Sequence, residues 1–178
     1  MKRIAFIVCV CLCAVWSVCL AGTGVVSLSV GSKSGARGAA VNIPVYVSSN
    51  VKGLVIDALS VTVGFDQARV TVDPAVDVAV GPAANDGKTV KKEITAAYPA
   101  QDKGKIKVVL FGDPGKGIKN GVVATIRFRI ASGAAGSVPL TITHYEALTA
   151  AGKAITDVTL KPGGKIMIQG SVKRPTRK

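Results

Sequence analysis

The sequence predicts an all-β chain folded as an antiparallel β-sandwich. Three observations carry that prediction. Roughly eight or nine short apolar or alternating runs recur between Gly, Pro, Asn and Asp turn signals. The alternation has a period of two, which puts one face of each strand in a core. No stretch carries the apolar stripe of an amphipathic helix, and the Ala pairs at 83–84 and 134–135 are too short and glycine-bound to make one. There is no internal repeat.

The first 21 residues stand apart. Lys2 and Arg3 precede an apolar run over 4–20, and the small Ala21 suits a cleavage position. This is the pattern of a secretory signal peptide. A retained membrane-anchor helix is the alternative, and a lipoprotein site at Cys19 is disfavoured by Trp16 and Val18. The expected mature chain, 22–178, is one domain over 22–169 followed by a basic, disordered tail over 170–178.

Cleavage changes the chemistry available. Cys9, Cys11, Cys13 and Cys19 are all 4 cysteines, and they leave together with Trp16. The mature chain then has no disulfide, thiol nucleophile or cysteine metal site, and must be held by its core. Loss of Lys2 and Arg3 lowers the formal charge from +13 to +11. The lysines are scattered, and only Lys173, Arg174, Arg177 and Lys178 cluster. No aromatic residue interleaves with that cluster, so a nucleic-acid stacking platform is not supported.

The elements follow in order. Residues 25–30 (VVSLSV) read as a first strand and 32–38 as a small polar loop. Residues 41–47 alternate, with Val41, Ile43, Val45 and Val47 on one face; Pro44 places this strand at an edge or beside a bulge. Residues 54–65 form a longer strand. Leu59, Val61, Val63 and Phe65 point inward, and Ala58, Ser60, Thr62 and Gly64 make an outer face of small residues. Residues 70–72 are a brief strand, and 74–87 are irregular. Residues 89–98 read as a strand and 99–103 as a loop.

The stretch 105–130 organises the rest. KIKVVLFGD is β-rich but hardly alternates, because Val108, Val109, Leu110 and Phe111 are all apolar. Such a strand is covered on both faces or keeps one face for a partner. After PGKGIK, the Asn120-Gly121 turn opens the alternating run of Ala124, Ile126, Phe128 and Ile130. Residues 138–145, with Val138, Leu140 and Ile142 inward, and then 154–160 and 165–168 complete the chain.

Catalysis finds little support. His144, the single histidine, ends an apolar strand, and no serine has nucleophile-elbow spacing. The acidic residues lie mainly in loops, among them Asp66, Asp86, Asp102 and Asp157, with nothing to pair them as a glycosidase would. Asp73 and Asp77 are the nearest approach to a calcium site, without an EF-hand loop. PGKG at 114–117 lacks phosphate-loop spacing and reads as a turn. Tyr46, Tyr98, Tyr145, Phe65, Phe111 and Phe128 are the aromatics, and the three phenylalanines fall at apolar strand positions expected in the core. A planar sugar-binding platform is therefore hard to build.

The order of motifs resembles the bacterial cohesin domains of cellulosome scaffolding proteins. VNIPVYV at 41–47, VTVGFDQARVTV at 61–72, TAAYP at 95–99, KIKVVLFGD at 105–113, IKNGVVATIRFRI at 118–130 and DVTLKPGGKIMI at 157–168 carry the likeness, which spans about 25–168. The resemblance implies a nine-stranded jelly roll, of the cohesin and carbohydrate-binding-module type, that is noncatalytic and needs no cofactor. It implies a dockerin-bearing partner, with the calcium in that partner, held on one flat sheet face. By position, Ala58, Ser60, Tyr98, Leu110, Gly112, Asp113 and Gly115 fall on that face or its loop. Ala58 and Ser60 stand where the family commonly has Asn and Asp, and Asp113 where it has Glu. Two other readings stay open: a carbohydrate-binding module on a similar sandwich, and a surface or adhesion domain that has lost dockerin binding. The expected protein is a monomer, secreted or at the cell surface after cleavage near Ala21. Its basic tail could tether it to an anionic wall polymer, and no nucleic acid is expected.

Overall fold

A computed structural model describes residues 26–170. The expected signal peptide and the basic tail beyond Gly170 lie outside the described residues. Within them the chain forms β1 (Val26–Val30), β2 (Lys33–Ala36), β3 (Ala40–Ser49), β4 (Ile56–Gly64), β5 (Val70–Thr71), β6 (Val78–Val80), β7 (Glu93–Ala97), β8 (Lys105–Phe111), β9 (Gly121–Ile130), β10 (Gly136–Thr149), β11 (Val158–Leu160) and β12 (Gly164–Gln169). The single helical element described is a 3-10 turn at Pro99–Gln101.

Two sheets face each other. One runs β11-β1-β3-β9-β5, with β6 following β5 along the same edge of β9; the other runs β2-β12-β10-β4-β8-β7. Neighbours are antiparallel except β1 with β11 and β2 with β12, which are parallel. The first two and last two described strands thus run side by side and change sheets together. Glycine allows the crossing: a Cβ on Gly164 would lie 1.9 Å from the Gly31 carbonyl oxygen.

The alternating runs meet in one core. Val41, Ile43, Val45 and Val47 of β3 and Ala124, Ile126, Phe128 and Ile130 of β9 face Leu59, Val61, Val63, Ile106, Val108 and Leu110 across the sandwich. Phe65 packs edge-on against Phe128, with ring centroids 5.1 Å apart. Pro44 lies inside the sheet, and the expected bulge follows it, where the register shifts between Val45 and Tyr46. Its carbonyl accepts the Gly31 N–H at 2.8 Å, where β1 leaves the ladder.

Three expectations are corrected. The polar segment at 32–38 contains a strand, because β2 pairs its backbone with β12 and has no core face to announce it. The irregular 74–87 segment contains β6, three residues long, held on the edge of β9. The expected nine strands are drawn as twelve, since β5 and β6 are brief and the terminal strands break where they change sheets.

Candidate partner-binding face

Strands β10, β4, β8 and β7 turn one face away from the core, and their registers set what stands beside what. Glu146, Ser60, Val109 and Thr95 form one row across the sheet; His144, Thr62, Lys107 and Ala97 form the next. Leu148 flanks Ala58 at one end, and Thr141 and Lys105 flank Gly64 at the other. In every row the β4 residue is the smallest or nearly so. The face is therefore a trough, floored by β4 and walled by β10 and β8. Ser60 and Thr62 point outward yet are only 6% and 4% exposed, because the taller walls cover them.

A depression of about 100 Å³ opens in this floor between Ala58, Ser60, Val109, Glu146 and Leu148. Ser60 Oγ is buried there without a hydrogen-bond partner. Burying a hydroxyl unpaired is costly, so a ligand bringing a polar group to this point is favoured. Val109 and the exposed Phe111 supply apolar surface; Lys105, Lys107, His144 and Glu146 surround it with charge and polarity. An apolar centre within a polar rim is the anatomy of a protein-binding surface. A larger groove, about 720 Å³, follows the far side of β10 between Tyr145, Ile155 and Leu160. Among the described residues, the unpartnered buried side-chain atom lies in the trough and not in that groove.

The loop after β8 crosses the Ala58 end of the trough and returns to β4, where Ile118 N–H bonds the Ile56 carbonyl at 2.7 Å. Gly112, Asp113 and Gly115 all have left-handed backbone, with φ of 86°, 45° and 76°. Glycine takes that conformation readily and aspartate tolerates it. Beneath the loop lies Lys92, whose side chain is fully enclosed. Its ammonium donates to Asp57 Oδ1 at 2.9 Å and to the carbonyls of Gly112 at 2.5 Å and Asp113 at 2.9 Å. Asp57 Oδ1 also accepts the Gly115 N–H at 3.0 Å, and Asp113 Oδ2 the Lys91 N–H at 3.1 Å.

The predicted site residues divide. Ala58 and Ser60 lie on the trough floor, and Gly112 and Gly115 are exposed in the loop beside it. Asp113 belongs to the loop, but its carboxylate and carbonyl are both engaged in holding it. Leu110 is a correction: it is 2% exposed and sits in the core, because Lys107, Val109 and Phe111 take the outward positions. Tyr98 is a second correction. Its ring packs on the core, and its hydroxyl donates to the Val72 carbonyl, joining the two sheets. Burial, with Asp73 and Asp77 nearby, pushes that hydroxyl above the usual tyrosine range. Phe111, expected in the core, is 40% exposed on the face.

Other candidate groups have structural duties. Asp73 and Asp77 do come together, but Asp77 is spent on the Asp73 N–H at 2.8 Å and on Arg129 at 2.7 Å. His144 stands exposed on the β10 wall, 3.6 Å from Glu146. Asp86 accepts the Lys119 ammonium at 2.6 Å and the Thr89 hydroxyl at 2.5 Å, and these hold its carboxyl well below the usual carboxylate range. Sequence reasoning missed Val109, Glu146, Leu148 and the Lys92–Asp57 pair. Counting by twos from the solvent-seeking Lys107 finds Val109 and Phe111; nothing local announces Lys92.

A family model for the cohesin domain matches residues 26–168. The third cohesin of ScaC from Acetivibrio cellulolyticus, solved in complex with the ScaB dockerin mutated in its C-terminal helix, is similar at 25% identity and TM-score 0.65, over 80% of this chain and 98% of that one. CaCohA2 from Clostridium acetobutylicum is similar at 26% identity and TM-score 0.62, over 84% and 94% of the two chains. A non-cellulosomal cohesin from the archaeon Archaeoglobus fulgidus shares the fold at 17% identity and TM-score 0.60, over 81% and 91%. No curated protein sequence matches the chain.

Proposed function

The chain belongs to the cohesin domain family, and on that premise we propose that it holds a dockerin-bearing protein on the outer face of β10, β4, β8 and β7. A cohesin domain is a noncatalytic protein-binding module. The observation that supports this face is the trough itself: a small-residue floor with an unpaired buried hydroxyl at Ser60, beside the outward Val109 and Phe111. A helix laid along β4 would cover the apolar surface and offer polar groups to Ser60 and Lys107.

Calcium belongs to the partner in this reading, and the domain acts as a monomer. The pattern over 1–21 supports secretion, and the basic tail supports a tether to an anionic wall polymer. The departures at Ala58 and Ser60 favour a second reading, an adhesion domain of cohesin fold that binds no dockerin. A carbohydrate-binding role is disfavoured, since among the described residues Phe111 is the one Phe, Tyr or Trp side chain presented by the trough.

Binding to the ScaB dockerin of Acetivibrio cellulolyticus and to further dockerin modules, measured by calorimetry with calcium and with chelator, tests the proposal. Saturable one-to-one binding that chelator abolishes supports it. Absence of binding across the panel, with retention on a cell surface, would favour the adhesion reading.

A further inference from the structure

We propose that Lys92 is a positioning residue for the partner surface: with Asp57 it fixes the loop 112–117, and the fixed loop sets how tightly the trough holds its partner. This inference rests on the reading of the trough as the partner face. The registers of β7, β8 and β4 explain the arrangement. Glu93 pairs with Phe111, and Leu59 with Leu110. Carried to the end of the sheet, these registers set Lys92, Gly112 and Asp57 side by side on the inward side. Gly112 has no side chain, so the lysine stem reaches past it to the carboxylate.

Every ammonium hydrogen of Lys92 then has an acceptor: Asp57, Gly112 and Asp113. Two of those acceptors are loop carbonyls, and Asp57 holds a third loop group, the Gly115 N–H. The same loop has two glycines and an aspartate in left-handed conformation. Without restraint such a glycine-rich segment samples many conformations, and ordering it on binding weakens association. A buried lysine used this way supplies order before the partner arrives. Its own place is set by backbone: Lys92 N–H bonds the Ala84 carbonyl at 2.9 Å.

The test compares Lys92→Met and Asp57→Asn with a core control, Ile126→Val, chosen to lower the melting temperature without touching the loop. Amide exchange of the free proteins reads the loop directly, at the Gly115 and Lys116 N–H groups. The ScaB dockerin, or whichever dockerin binds the wild type best, reads the affinity. The expected result is faster exchange at those amides in both loop variants and a Kd raised about tenfold, chiefly through a faster off-rate. Ile126→Val should leave both unchanged. Unchanged loop exchange in the variants overturns the inference, and so does faster exchange with wild-type affinity. If Lys92→Met fails to fold, Asp57→Asn alone decides, since it removes the charge that pairs with the Lys92 ammonium and weakens the acceptor for the Gly115 N–H while keeping the size of the side chain. A wild type that binds no dockerin defeats the reading of the face, and the positioning role with it. A wild type that binds while the variants bind equally well defeats only the role of Lys92.

Discussion

Ser60 of β4 and Val109 of β8 are register partners, and both point away from the core. Their neighbours one step along, Leu59 and Leu110, are also partners, and both are buried. The boundary between outer face and core therefore falls between adjacent residues of one strand.

That boundary predicts opposite effects from adjacent substitutions. Val109→Glu should weaken dockerin binding by at least about 2 kcal/mol, the scale of an interface hot spot. It should leave the melting temperature nearly unchanged. Leu110→Ala should cost about 2–5 kcal/mol of stability through the cavity it leaves. Calorimetry and thermal melts of the two variants check the pair, and a stable Leu110→Ala with wild-type melting would reverse the assignment of the faces.

Phe128 is fully buried and packs against Phe65. Phe128→Ala should cost roughly 3–5 kcal/mol by removing a buried aromatic from the centre of the core. Denaturant unfolding measures it, and a loss much smaller than that would mean the core closes over the gap.

The core faces were legible in the sequence because alternation reports burial directly. Val41, Ile43, Val45 and Val47, and likewise Ala124 through Ile130, lie as their spacing predicts. The outer face was legible on β4, where Ala58, Ser60, Thr62 and Gly64 are small in series. It was misread on β8, because four apolar residues in a row carry no phase, and Leu110 was assigned to the wrong side. Tyr98 was misread because its hydroxyl partner, the Val72 carbonyl, is distant in sequence and lies just past β5 of the other sheet. Lys92 was invisible for the same reason: its partners Asp57, Gly112 and Asp113 meet only when three strands pair.

Acid should unfold the domain partly through its loop carboxylates. The Lys119 ammonium lowers Asp86, the Arg69 guanidinium lowers Asp66, and the Lys105 ammonium lowers Asp102. A carboxyl whose folded pKa is depressed stabilises the fold above its unfolded value and loses that contribution as pH falls through the folded one. The melting temperature should therefore drop as pH falls below about 4, the unfolded value of an aspartate. Asp86→Asn should melt lower near neutrality and show a shallower acid limb. Parallel limbs in the two proteins would show that the Asp86–Lys119 contact does not contribute.

Removal of residues 171–178 should leave the fold intact, because the segment 173–178 has no apolar side chain to bury. A large fall in melting temperature on truncation would show that the tail packs on the sandwich. If the tail tethers the protein to an anionic wall polymer, the truncated chain should bind isolated walls less well, and added salt should erase the difference.

The most direct test of the partner face is to fill its floor. Ser60→Trp places a large ring in a depression of about 100 Å³, on the outer side of a sheet whose core it does not enter. Titration of the variant against the dockerin that binds the wild type should show Kd raised at least roughly thirtyfold, equivalent to about 2 kcal/mol, in a protein whose far-ultraviolet circular dichroism and cooperative melt show it folded. Wild-type affinity in a folded Ser60→Trp protein would contradict the proposal, because no helix could lie along β4 with that ring in its path.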